Sequence, residues 1–392
     1  MALADEVLDQ VRAERDIAIE LLRVLTNAES PSAHPEVHDR VRAALRAMYA
    51  DLDYRVREFG RPGGPRHVYA RPAERSRGAF LQLIVGHYDT VWPVGTLAER
   101  PFEVDGDIVR GPGVFDMKGG LVMAVIALRA LRALNVDLPA LPVVFVNADE
   151  EIGSRSSTRH IARLARHACR ALVLEPAMGA EGLLKTERKG IGRYTVTVYG
   201  KAAHAGLDPE GGASAILELS HVIQQLFALN DPGSGVTVNV GVVDGGIQPN
   251  VIAPHGSCIV DVRVPTVAAG EAVHRAIHGL KPQTDGVRLG IEGAIGRPSM
   301  ERTPRNEALW HQARSLGQEL GLELDSVRAG GGSDGNTTSQ FTATLDGLGA
   351  VGDGAHAVHE HLHLGRTLER AALLAMLLQA PVLRNLRQEA AS

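Results

Sequence analysis

Apolar residues recur at helical spacing from about Asp5 to Leu52, and the stretch "GRPGGPRHVYARP" then breaks the pattern. Next comes "AFLQLIVGHYDTV", an apolar run that stops at His87 and Asp89. A short continuous run of this kind predicts a buried strand. "GPGVFDMKGGLVMAVIALRALRAL" predicts a glycine-rich turn bearing Asp116, followed by a long helix. "LPVVFVNADEE" predicts a second strand, a helical stretch runs to about Arg166, and "CRALVLEP" predicts a third strand ending at Glu175. Strands alternating with helices imply a mostly parallel sheet covered on both faces.

From about Gly190 the texture changes. "GRYTVTVYG" and "GVTVNVGVVDGG" alternate like half-exposed strands, with the helical "GGASAILELSHVIQQLFAL" between them. "HGSCIVDVRVP", "AGEAVHRAIHGLK" and "VRLGIEGAI" add a strand, a helix and a strand. The order β-α-β-β-α-β is ferredoxin-like. After Arg302 a long helix, the loop "RAGGGSDGN", a short strand and a terminal helix return to the first domain. The expected organisation is an α/β domain in two segments, 1–188 and 301–392, with a small domain inserted at 189–300.

Bulk properties narrow the class. A chain of 392 residues calls for more than one core, and 44% apolar with 22% charged residues is an ordinary soluble composition. The net charge of −5 and the absence of basic blocks argue against nucleic-acid binding. No apolar run reaches the ~18 residues of a membrane span. The N-terminus interleaves acids and bases with no apolar signal region, and the only cysteines are Cys169 and Cys258. These features point to a reducing, cytoplasmic setting.

The informative residues sit at the predicted strand ends. In such sheets ligands bind beyond the carboxyl ends of the strands, and those ends carry His87, Asp89, Glu150, Glu151 and Glu175. Carboxylates crowded at the rim of a core are costly unless paired or metal-bound. Imidazole and carboxylate are zinc's ligands, and two zincs a few Å apart need a carboxylate shared between them. His87, Asp116, Glu151 and Glu175 supply such donors, with one more histidine required from the C-terminal region. Asp89, two residues beyond His87, is placed to orient its imidazole. Glu150, beside a ligand, is placed to act as a general base.

The stretches "GHYDTV", "GPGVFDMKGG", "NADEEIGS", "LEP", "GKAAHAG", "GGGSDG" and "GDGAHAVHEHL" occur here in the order seen in a known family. In them the chain resembles the dinuclear zinc exopeptidases and deacylases, which include carboxypeptidase G, aminoacylase, acetylornithine deacetylase and succinyl-diaminopimelate desuccinylase. The resemblance implies that His87 and Glu175 hold one zinc, Glu151 and His356 the other, and that Asp116 bridges. Co2+ or Mn2+ are possible substitutes. Glu150 would be the base, and His204 would reach across a homodimer, formed through the inserted lid domain, to polarise the scissile carbonyl. Asn250, Arg263 and Arg297 resemble substrate contacts, the arginines binding a terminal carboxylate.

The implied reaction is hydrolysis of the amide between an acyl or aminoacyl group and a C-terminal free amino acid, glutamate or a relative. An N-acyl amino acid deacylase, a dipeptidase and a non-hydrolytic zinc-binding dimer stay open as alternatives. Arg263 lies two residues from Asp261 on one strand face, so a plain ion pair competes with a substrate role. Asp334 reads as a loop-fixing residue. His359, Glu360 and His363 match the H-E-x-x-H spacing of mononuclear zinc proteases, but that motif works only on a helix, and the alternation here does not predict one.

Overall fold

Three amphipathic helices, Leu3–Ala13, Arg15–Thr26 and Asp39–Ala50, form the N-terminal stretch and bury Val7, Val11, Leu22, Leu25, Val41 and Leu45 against the core. The computed structural model describes residues 3–74 and 78–383. It divides into two compact units, one built from residues 1–187, 302–328 and 333–392 and the other from 188–301 and 329–332.

The first unit is organised by a six-stranded sheet in the order Tyr54–Gly60, Arg66–Pro72, Leu141–Asn147, Leu81–His87, Ala168–Val173, Ala343–Leu345. The last four strands are mutually parallel, and the first two add an antiparallel hairpin. Both faces are covered, which is why Leu83, Ile84, Val85, Val144, Phe145 and Val146 are all fully buried without polar alternation. Between the first two parallel strands lies the helix Gly119–Ala133, itself almost entirely buried. It can lie close to the sheet because Gly120 has no side chain: a Cβ there would come within 2.4 Å of the Leu174 carbonyl oxygen.

A second, four-stranded sheet in this unit joins Gly352–Asp353, His361–His363, Ile108–Arg110 and Glu103–Asp105. It holds the loop that carries His356. The segment "SDGN", expected as loop, instead begins a short helix, Asp334–Thr338, closed by a capping box between Ser333 and Asn336.

The second unit is a four-stranded antiparallel sheet in the order Thr237–Gly245, His255–Val264, Gly190–Tyr199, Arg288–Arg297, with the helices Ala215–Phe227 and Val267–His278. Its own core holds Tyr194, Val196, Val198, Leu219, Val222, Val260, Val262 and Ile277. Strand alternation is faithful: Ile191, Arg193, Thr195 and Thr197 face away from the residues that fill this core.

Candidate metal centre

Five chain segments meet at the carboxyl ends of the parallel strands. His87 is the last residue of Leu81–His87, Glu150 and Glu151 follow Leu141–Asn147, and Glu175 lies two residues beyond Ala168–Val173. Asp116 sits in the turn before the helix Gly119–Ala133. His356 arrives on the loop between Gly352–Asp353 and His361–His363, with a left-handed φ of 61°.

The contacts are specific. His87 Nε2 lies 3.3 Å from Asp116 Oδ1 and 3.8 Å from Glu175 Oε1. His356 Nε2 lies 3.0 Å from Glu151 Oε2 and 3.5 Å from Asp116 Oδ2. Asp116 therefore turns one oxygen to each imidazole. His87, Asp116 and Glu151 offer donor atoms all within 4.8 Å of one another, and so do His87, Glu150 and Glu175. Geometry alone thus groups Glu150 with the ligands as readily as Glu151.

Electrostatics match a site short of positive charge. Burial pulls the His87 imidazole down, yet Asp116, Asp89 and Glu175 together hold it well above its usual value. The hydrogen bond that His356 donates to Glu151 lifts its imidazole to about 9. Glu151 itself is raised, by burial first and then by the charges of Asp116 and Glu150. Asp116 Oδ1 and Glu151 Oε1 are buried without a hydrogen-bond donor. Such oxygens are costly unless a cation meets them. Oxygen and imidazole donors with this excess of carboxylate fit divalent metal ions.

The surrounding hydrogen bonds fix these groups. His87 Nδ1 bonds the backbone carbonyl of Asp89 at 2.9 Å, while the Asp89 carboxylate stands farther off at 3.4 Å. That carboxylate accepts instead from the amides of Glu150 and Glu151, both at 3.2 Å, and from Ser32 Oγ at 2.7 Å. Asp149 accepts from Ser156 N, Ser156 Oγ and Ser157 Oγ, pinning the chain just beyond the paired glutamates. Asp334 accepts from Ser154 Oγ at 2.6 Å and from Asn147 Nδ2, so it ties the short helix to the same loop.

Glu360, Asp149 and Ser32 have structural roles that sequence reasoning missed. For Glu360 the signal was its position four residues after His356, obscured by the histidines around it. His359 is exposed and faces Asp353 at 3.8 Å, whereas His361 and His363 lie on a strand, so the H-E-x-x-H spacing is not helical here.

In the second unit the remaining candidates fall into two pairs. His204 and Asn250 lie on adjacent loops joined by Ala205 N to Asn250 O at 3.0 Å. His204 Nδ1 accepts from the amides of Gly206 and Leu207, which leaves its proton on Nε2. Arg263 and Arg297 both register opposite Ile191, one on each neighbouring strand, and so share a face of the sheet. The Arg263 fork is engaged by Asp261, Nε to Oδ1 at 2.8 Å and Nη2 to Oδ2 at 3.2 Å.

Residues 83–380 match the model of Peptidase family M20/M25/M40. Carboxypeptidase G2 of Pseudomonas sp. (strain RS-16) is 28% identical over 359 residues, covering 90% of this chain and 86% of that protein. Among solved structures, aminopeptidase PepT of Bacillus cereus superposes with a TM-score of 0.76 at 20% identity, covering 95% of this chain and 98% of its own. The YXEP protein of Bacillus subtilis, described as a dinuclear metal-binding peptidase, gives 0.66 at 14% identity, with 94% and 99% covered. With three-quarters of its length inside one family model, this chain belongs to peptidase family M20/M25/M40 and is a metal-dependent hydrolase of peptide or amide bonds.

Proposed function

We propose that the protein is a dinuclear zinc carboxypeptidase that releases a C-terminal amino acid, glutamate or a relative, from an acyl or aminoacyl group. The observation that carries this reading is the placement of Asp116, with one oxygen toward His87 and the other toward His356. His87 and Glu175 would hold one ion, His356 and Glu151 the other, and Asp116 both. Bound there, two zinc ions would polarise the scissile carbonyl and make water a nucleophile near neutral pH. Glu150 takes the proton of the attacking water and passes it to the leaving amine. Its carboxylate is steadied through the amide that Asp89 accepts.

His204 carries its proton on Nε2 and so can donate to a developing oxyanion. In this reading it serves the site of a partner subunit. An unpaired sheet edge supports the homodimer: Thr237–Gly245 is an outer strand, with Val242 and Val243 more than half exposed and Ile216 and Leu217 about half exposed on the helix packed against that sheet. Apolar edges of this kind pair with a second copy. Asn250, Arg263 and Arg297 would contact the substrate, the arginines taking its terminal carboxylate. The bond from Arg263 to Asp261 favours a second reading, an N-acyl amino acid deacylase or dipeptidase in which Arg297 alone meets that group. No helix among the described residues is long and apolar enough to cross a membrane. Two free, buried cysteines suit the cytoplasm.

The deciding experiment measures amino acid release from glutamyl-terminated peptides, N-acyl amino acids and dipeptides, beside Glu150→Ala. Release from glutamyl substrates, lost in a variant that keeps two metal ions, supports the carboxypeptidase reading. Release only from the other substrates moves the specificity to the second reading. Loss of metal from Glu150→Ala would exchange the roles of Glu150 and Glu151.

A further inference from the structure

Glu360 is almost completely buried, at 1% exposure, and it is not among the groups whose donor atoms could meet a metal ion. Its two oxygens are instead saturated by four donors. Oε2 accepts from Trp92 Nε1 at 2.8 Å and Gly113 N at 2.9 Å. Oε1 accepts from Phe115 N at 3.0 Å and Asp116 N at 3.1 Å. Three of these donors are amides of the turn that presents Asp116. The fourth, Trp92, is held under the guanidinium of Arg100, 4.2 Å from the ring centre.

At its other end Glu360 belongs to the His356 loop. Its amide bonds Ala357 O at 3.0 Å, and Ala357 N bonds Gly354 O at 2.8 Å, so the loop from Gly354 to Glu360 is a compact turn with His356 inside it. One side chain thus joins the chain segments that carry Asp116 and His356, whose side chains stand 3.5 Å apart.

We propose that Glu360 is a positioning residue that sets the distance between Asp116 and His356 and thereby the metal affinity of the centre. The inference rests on the metal-centre reading above. A carboxylate is required because both oxygens accept twice. In Glu360→Gln the amide NH2 would face two N–H donors, on either the Trp92 side or the Asp116 side, and one anchor would be lost.

The test uses metal-free wild type, Glu360→Gln and Trp92→Phe, each titrated with Co2+ and followed by its ligand-field absorption. Zn2+ affinity is measured against a competing chelator, and unfolding of each metal-free form is recorded. Wild type should take two ions. Glu360→Gln should fold, bind at least one ion about 10- to 100-fold more weakly and show a changed Co2+ spectrum. Trp92→Phe removes one donor of four and should lose less affinity, in the same direction. If the Gln variant does not fold, Trp92→Phe alone decides. Wild-type affinity and spectrum in the folded variants would overturn the inference, as would a loss of metal-free stability with unchanged affinities. A wild type that takes no metal would overturn the metal-centre reading itself, and this inference with it.

Discussion

The carboxylate of Asp89 accepts the backbone amide of Glu150 at 3.2 Å. The residue that follows His87 by two therefore positions the paired glutamates as well as the imidazole, the first through its side chain and the second through its carbonyl oxygen. In Asp89→Asn one acceptor oxygen becomes a donor, facing either the amide of Glu150 or the amide of Glu151 together with the Ser32 hydroxyl. The expected result is a kcat lowered by about 10- to 100-fold with metal content retained. Steady-state kinetics with metal analysis on one preparation would check it, and an unchanged kcat would remove Asp89 from the mechanism.

Helix propensity alone says that Gly120→Ala should stabilise the protein by about 1 kcal/mol. Packing says the opposite, since the new methyl would press on the Leu174 carbonyl oxygen. Backbone cannot swing aside as a side chain can, so a destabilisation of about 1–3 kcal/mol is expected. Chemical denaturation of the metal-free protein decides the sign. A shift of Leu174 also moves Glu175, so metal should be held more weakly.

His38 is fully buried, with Nε2 bonded to Pro31 O at 2.8 Å and Nδ1 without a hydrogen-bond partner, its ring 5.2 Å from that of Tyr88. Burial holds its pKa below the ordinary 6.5. The fold favours the neutral ring, so this contribution is complete above 6.5 and is lost as pH falls through the lower folded value. Between pH 7 and 5.5 the change in stability should be less favourable in wild type than in His38→Gln, by the His38 contribution. Parallel urea curves at the two pH values measure the difference; equal changes in the two proteins would exclude a contribution from His38.

In the proposed homodimer, charge placed on the exposed strand edge should separate the subunits without touching the proposed metal ligands. Val243→Lys is expected to sediment as a monomer, with wild-type metal content and little turnover, because the partner's donor would be missing. A fully active monomer would refute catalysis shared between subunits.

The strands ending at His87 and Val173 are legible in the sequence because an apolar run that stops abruptly at charged residues marks a buried strand reaching the rim of its core. The ferredoxin-like unit is legible because its strands alternate and its helices keep their period. Glu360 and Ser32 are not, since their partners lie far away along the chain and are largely backbone groups, which look alike in any sequence. The helix Asp334–Thr338 is hidden by glycine-rich flanks, although Ser333 and Asn336, three apart, are the trace of its capping box. His356 needed the resemblance, because nothing in the spacing of "HAVHEHLH" distinguishes it from its neighbours.

The clustered donors span residues 87 to 356, and His356 is held in place by a strand, His361–His363, that pairs with Ile108–Arg110 some 250 residues earlier. A nascent chain emerging from the ribosome can complete the central strands and still lack the last imidazole. In the proposed centre, hydrolytic competence would therefore wait until synthesis has passed the strand His361–His363.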